Sequence, residues 1–241
     1  MSTITMILLD NITKRFADGQ RSLTVLDALS VHVRQGEFVA VTGESGAGKT
    51  TLLSIIGTLL PPDEGSLTIH GEQLWADVPG ADKVAMATDK ELAVRLCQLR
   101  NKEIGFVYQD HRLLPQFTAW QNILLPTLAT KSSSSDEEKQ RALGLLDFMG
   151  ISALKDSPVT QLSGGEQTRV AICRALINQP SILLADEPTG QLDAVNTKVI
   201  ASLFQQVNAQ LHTTIVMATH SAEMAKAAHT TYGLSGGKLT S

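Results

Sequence analysis

Gly43-Glu44-Ser45-Gly46-Ala47-Gly48-Lys49-Thr50 is the stretch on which the fold turns. It follows Glu37–Thr42, an apolar run typical of a buried strand, and it fits the pattern GxxxxGK[ST]. Gly43, Gly46 and Gly48 let the backbone wrap closely, so that successive amide N–H groups, that of Ser45 included, converge on phosphate oxygens. A helix from about Lys49 to Leu60, stopped by Pro61-Pro62, adds the partial positive charge of its N-terminus. In this pattern Lys49 reaches the β- and γ-phosphates of ATP, the Thr50 hydroxyl ligates Mg²⁺, and Thr51 completes the nucleotide-binding set. A chance glycine turn is the competing reading, and the preceding strand weakens it.

Outward from this loop, strands and helices alternate. Ile7–Leu9, Leu29–Val33 and Ser66–Ile69 read as strands in the first third, and a charged amphipathic stretch from Thr88 to Arg100 reads as a helix on an insertion. A polar run at Ser132–Ser135 marks a loop. Ser135 with Glu138 forms a capping-box pattern, Ala142, Leu145, Leu146 and Met149 make an apolar stripe, and Gly150 suits the helix end. Further on, Ile182–Ala185 and Thr214–Ala218 are strand-like, separated by a helix around Ala194–Leu211. Such alternation predicts an α/β fold with a mostly parallel sheet. The helices bunched between Phe117 and Gln179 suggest a separate lobe.

Two other segments carry chemistry. Ser181-Ile182-Leu183-Leu184-Ala185-Asp186 is an apolar strand ending in a carboxylate, followed at once by Glu187. Behind a phosphate-binding loop, Asp186 is suited to hold Mg²⁺ through water, and Glu187 to polarise an attacking water as general base. Either acid could instead be a helix N-cap. Upstream, Leu162-Ser163-Gly164-Gly165-Glu166-Gln167 opens a helix that continues through Val170–Ile177 and ends before Pro180. Leu234-Ser235-Gly236-Gly237 repeats four of these residues, but only four residues follow it. Its Gly-Gly, between Tyr232–Leu234 and Lys238–Leu239, reads as a hairpin turn without catalytic role.

From Gly43 to His220 the order of these motifs resembles that of ABC transporter ATPases. The resemblance implies a P-loop NTPase (RecA-like) core, an N-terminal antiparallel β subdomain and a helical subdomain bearing the signature. It implies one domain across 1–241, with the core at about 1–108 and 180–241 and the helical lobe at about 109–179. It also implies roles by position. Gln109, in Gly105-Phe106-Val107-Tyr108-Gln109, matches the glutamine that senses Mg²⁺ and the γ-phosphate. Asp193, in Thr189-Gly190-Gln191-Leu192-Asp193, matches the loop coupling two active sites. His220, after Ala218-Thr219, matches the switch histidine. Ser163 and Gly165 would face ATP held by the loop of a second subunit, so each monomer would supply half of each site. Phe16 stands where the family usually has an adenine-stacking tyrosine, and its ring can still stack. Thr168 stands where glutamine is common, a change expected only to tune the helix start.

The stretch Leu99–Gln109 running into His111-Arg112-Leu113-Leu114-Pro115 and Thr118-Ala119-Trp120-Gln121-Asn122-Ile123 is similar to the macrolide-export and lipoprotein-releasing subfamily. So is Glu187–Asp193, where asparagine is commoner at the Gln191 position. That resemblance implies an integral-membrane permease partner, of four spans with a large extracytoplasmic domain, and amphipathic cargo such as lipoproteins, drugs, peptides or haem. It places the chain on the cytoplasmic face of the membrane, with Asp110–Pro115 as the permease contact or else a solvated loop. A cell-division-type ATPase that transmits force without transport is the alternative.

Composition agrees with a subunit whose membrane spans lie elsewhere. The chain has 241 residues and 43% hydrophobic content, yet no apolar run near the eighteen or so residues a span needs. Met6-Ile7-Leu8-Leu9 before Asp10 is too short for a signal peptide. A net charge of −4 leaves no basic footprint for nucleic acid. Cys97 and Cys173 lie far apart and read as reduced thiols.

Overall fold

A computed structural model describes residues 4–18, 21–75, 90–129 and 131–240. Its centre is a six-stranded sheet in the order β10-β9-β3-β8-β7-β6. These strands are β3 (Phe38–Thr42), β6 (Ile104–Val107), β7 (Ile182–Asp186), β8 (Thr214–Thr219), β9 (Thr230–Ser235) and β10 (Lys238–Thr240). Every pairing is parallel except β9 with β10. A second sheet, all antiparallel, runs β2-β1-β4-β5, from β1 (Thr5–Asp18), β2 (Arg21–Arg34), β4 (Glu64–Ile69) and β5 (Glu72–Trp75).

The apolar runs of β7 and β8 follow from burial on both faces. Ile182, Leu184, Val216 and Ala218 point to a core shared with the antiparallel sheet and helix α1 (Lys49–Ile56). Leu183, Ala185, Ile215 and Met217 point the other way, into a core shared with the later helices. Those helices are α3 (Ala119–Leu124), α4 (Asp136–Phe148), α5 (Gly164–Leu176), α6 (Ala194–Leu211) and the short α7 (Ala222–Lys226). Helix α2 (Lys90–Lys102) lies on the other side of the sheet, contributing buried Leu96 to the first core. Phe204 of α6 is fully buried and packs on Phe38 with ring centroids 6.3 Å apart.

Several local expectations hold. Ser135 caps α4 and forms the full capping box with Glu138, and Gly150 follows the helix end with φ +66°. Gly236 and Gly237 turn the β9–β10 hairpin with φ +55° and +78°. Cys173 is fully buried and Cys97 exposed; the Cys173 thiol donates toward the Leu145 carbonyl at 3.4 Å, and burial raises its pKa strongly.

Other expectations need correction. Helix α1 ends at Ile56 instead of reaching Leu60. Thr58 turns to φ +56°, and the amides of Leu59 and Leu60 both donate to the Ser54 carbonyl. The break falls at Gly57, a position that has no room for a side chain, since a Cβ there would sit 2.3 Å from Phe106 Cζ. Strands β1 and β2 are far longer than Ile7–Leu9 and Leu29–Val33, and their pairing contains register shifts that interrupt the alternation a sequence shows. Thr88, the expected start of the insertion helix, lies outside the described residues.

Candidate functional site

Parallel strands bring their C-terminal ends to one edge of the sheet, which is where ligands bind in such folds. Here Thr42 of β3 pairs with Thr219 of β8, and Asp186 of β7 pairs with Ala218. The loop after β3, the acids ending β7 and His220 after β8 therefore meet. Where they meet lies a cleft of about 550 Å³ lined by Ser45, Gly46, Gly48, Lys49, Thr50, Thr51, Gln109, Glu187 and His220; Asp186 is not part of that lining and joins it through Thr50. Val25 of β2 also lines it, a residue nothing in the local sequence marked. Gly48 is required where it stands: its φ is +103°, and a Cβ would lie 3.0 Å from Val25 Cγ1. Gly43 is equally constrained, since a Cβ would come within 2.4 Å of the Leu234 carbonyl oxygen. The second LSGG thus braces the loop from behind.

Lys49 is buried, and its ammonium donates to the carbonyls of Gly43 and Glu44 at 2.8 and 3.0 Å. It stands 3.5 Å from Glu187 Oε1. The other oxygen of Glu187 accepts from the His220 amide at 3.0 Å and lies 2.8 Å from His220 Nδ1. Glu187 adopts φ +45°, a strained conformation for a residue with a side chain. Its own amide donates to the Ala218 carbonyl and holds that turn. A carboxylate so fixed between a cation and an imidazole can accept a proton or orient a water.

Thr50 donates its hydroxyl proton to Asp186 Oδ2 at 2.8 Å. Asp186 Oδ1 is buried with no hydrogen-bond partner. Burial raises the Asp186 pKa; the Thr50 hydrogen bond opposes this, and nearby Glu187 adds to it. An unpaired buried oxygen beside a hydroxyl, on a carboxylate that burial makes costly, is the donor set a hydrated divalent cation would satisfy.

Gln109 lies at the mouth of this cleft, close enough to Gly190 that a Cβ there would be 3.2 Å from Gln109 Nε2. The chain then turns through His111 and Arg112, with φ +57° and +46°. His111 is buried, and its Nε2 lies 2.8 Å from Thr168 Oγ1 on α5. Arg174, also on α5, donates to the carbonyls of Arg112 and His111 at 2.5 and 2.6 Å. Thr168 is fully buried, and its hydroxyl also donates to the Gly164 carbonyl. It does more than tune a helix start, and His111, predicted only as part of a surface loop, is an interior residue.

Ser163, Gly165 and Asp193 do not border the cleft. They form a second cluster at the adjoining N-termini of α5 and α6. Ser163 caps α5, closing a capping box with Glu166, whose pKa is lowered by the Ser163 hydroxyl and amide. Asp193 caps α6 through the Asn196 amide at 2.8 Å. The two ends touch: a Cβ on Gly165 would sit 3.0 Å from Asn196 Oδ1. Both helix N-termini carry unsatisfied amides and partial positive charge. Phe16 is not among the cleft residues either; it is 40% exposed on β1, pairing in register with Leu23 and standing under the Lys14 ammonium at 5.7 Å.

The family model described as ABC transporter matches residues 26–190. A lipoprotein-releasing system ATP-binding protein LolD of Bacteroides fragilis is 42% identical over 97% of this chain and 100% of its own length. The macrolide export ATP-binding/permease protein MacB of Syntrophobacter fumaroxidans is 40% identical over 92% of this chain but only 29% of that longer protein. Among solved structures, the dimeric post-hydrolysis state of an ATP-binding cassette bound to ADP and phosphate superposes with TM-score 0.81, at 35% identity, covering 98% of this chain and 97% of that one.

Proposed function

The chain belongs to the ABC transporter family, as its ATP-binding, ATP-hydrolysing subunit, and from that premise we propose that it works as one of a pair around two ATP molecules. The supporting observation is the division of the site. Lys49, Thr50, Glu187 and His220 line one cleft, with Asp186 hydrogen-bonded to Thr50, while Ser163, Gly165 and Asp193 sit on a separate patch. Two copies arranged head to tail would place the patch of one over the cleft of the other.

Within the cleft, the loop amides and Lys49 bind the triphosphate, while Phe16, on the exposed face of β1 outside the cleft lining, would stack on the base. Thr50 and Asp186, with Gln109, would hold Mg²⁺, which when bound neutralises developing phosphate charge. Glu187 orients the attacking water and receives its proton, and His220 fixes the Glu187 carboxylate and faces the γ-phosphate. From the second copy, the amides of α5 around Ser163 and Gly165 would close over the same phosphate.

Among the described residues no helix is long and apolar enough to cross a membrane. From its likeness to lipoprotein-releasing and macrolide-export proteins, the chain is paired here with a separate permease, of four spans with a large extracytoplasmic domain, and seated at the cytoplasmic membrane face. Lipoprotein release and macrolide export are the processes named for its relatives, so the cargo proposed here is amphipathic. Drawing an acyl chain from a bilayer costs about 0.8 kcal/mol per CH₂, so fourteen methylenes cost roughly 11 kcal/mol, a barrier that calls for coupled ATP hydrolysis. The test is to tag the Glu187→Gln chain, solubilise native membranes with ATP and Mg²⁺, and identify the co-purifying membrane protein. That permease, reconstituted with the wild-type chain, should move lipidated cargo only with ATP. An import-type permease, or none, would overturn the export reading.

A further inference from the structure

The turn after Gln109 is held in place by the signature helix. Two consecutive non-glycine residues with positive φ, His111 and Arg112, are unfavourable in isolation and persist only where surroundings enforce them. The turn closes on itself through the His111 and Arg112 amides, which donate to the Tyr108 and Asp110 carbonyls, and from outside it is held by Thr168 and Arg174, both on α5. Arg174 grips the two carbonyls of the turn, and Thr168 engages the His111 ring.

The direction of that second bond is assigned from the single proton of the threonine hydroxyl. A threonine hydroxyl has one proton, and Thr168 gives it to the Gly164 carbonyl at 2.9 Å. The 2.8 Å contact is then a donation from His111 Nε2–H to Thr168 Oγ1. One continuous chain of hydrogen bonds thus runs from the loop of Gln109, through His111 and Thr168, to the first residue of the helix that Ser163 caps. Gln109 opens on the cleft, whereas Ser163 lies on the patch outside it.

We propose that His111 and Thr168 are positioning residues that make the Gln109 loop and the signature helix move as one body. Capture of α5 by the opposite subunit's nucleotide would then set Gln109 in this subunit's own cleft, so each site is completed only when the other half is engaged. This inference rests on the ATPase-dimer reading above.

The experiment is steady-state ATP hydrolysis by the purified full chain, with fold checked by circular dichroism and thermal melting. Thr168→Val removes the hydroxyl at nearly constant shape, and His111→Leu removes the donor. Each is expected to lower kcat about tenfold with KM for ATP within about twofold, and to bring the Hill coefficient from about 2 toward about 1. Thr168→Ser and His111→Gln, which keep a hydroxyl and a donor, should recover most of the rate and the cooperativity. The double variant should be no slower than the slower single, because both break one link. Full multiplication of the two effects, or unchanged cooperativity in well-folded single variants, would overturn the proposal. If one variant fails to fold, the other with its rescue still decides. A wild-type chain that binds ATP but never hydrolyses it would instead refute the underlying reading.

Discussion

Glu187→Gln separates chemistry from binding more sharply than any other single change in the cleft. The substitution is isosteric and removes one negative charge from a side chain that is 12% exposed. Two opposing consequences can be sized. As general base, the carboxylate contributes about 10²–10⁴ in rate, or roughly 3–5.5 kcal/mol of barrier. As a charge, it attracts Lys49 across 3.5 Å, a pairing of about 5 kcal/mol at an effective dielectric near 20, before desolvation offsets much of it. In the same place it repels the incoming γ-phosphate. The amide should therefore lose turnover by at least about 100-fold while binding ATP as tightly as wild type or tighter. Lys49 keeps its two carbonyl partners, so the fold should survive. The assay is phosphate release alongside size-exclusion chromatography with ATP. The expected result is negligible release and a species of twice the monomer mass. Turnover within tenfold of wild type would refute the general-base assignment; tight ATP binding by a chain that stays monomeric would refute the shared site.

Asp186→Asn should abolish Mg²⁺-dependent hydrolysis yet leave the ligand-free protein at pH 7 as stable as wild type or more so. Burial raises the Asp186 pKa, so its contribution to stability is present at low pH and is lost as pH rises through that folded value; a melting temperature several degrees lower in the asparagine variant would contradict this. Phe16→Ala should raise KM for ATP by the equivalent of about 1–3 kcal/mol with kcat little changed if the ring stacks on the base, and unchanged nucleotide affinity by fluorescence titration would remove Phe16 from the site. Phe204→Ala, at a fully buried ring against Phe38, should cost about 3–5 kcal/mol in urea unfolding, and a cost under about 1 kcal/mol would mean the core there repacks freely.

What sequence could disclose was whatever is local. The phosphate loop after β3, the acids after β7, the capping box at Ser135 and the hairpin at Gly236-Gly237 each depend on neighbours within a few residues, and each stands where it was expected. Strand β5 escaped notice, and helix α3 falls within the helical stretch expected from Phe117 to Gln179 without being marked individually, although Thr118 and Gln121 form a capping box that could have marked its start. The long β1 and β2 were cut short because their register shifts break alternation. His111 and Thr168 stand 57 positions apart, and no pattern in either segment announces their bond. Val25 belongs to the cleft only because β2 passes beside Gly48, which is a property of packing.

The two cysteines have a practical corollary. Cys173 is sealed inside the core with its thiol strongly disfavoured from ionising, whereas Cys97 sits in the open on α2. Only thiolate reacts with a maleimide, so the unmodified chain presents a single address for a fluorophore or spin label. A dye at Cys97 would put one reporter on each copy. The proposed pairing of two chains, and its reversal after hydrolysis, could then be tested by energy transfer without introducing or removing a residue.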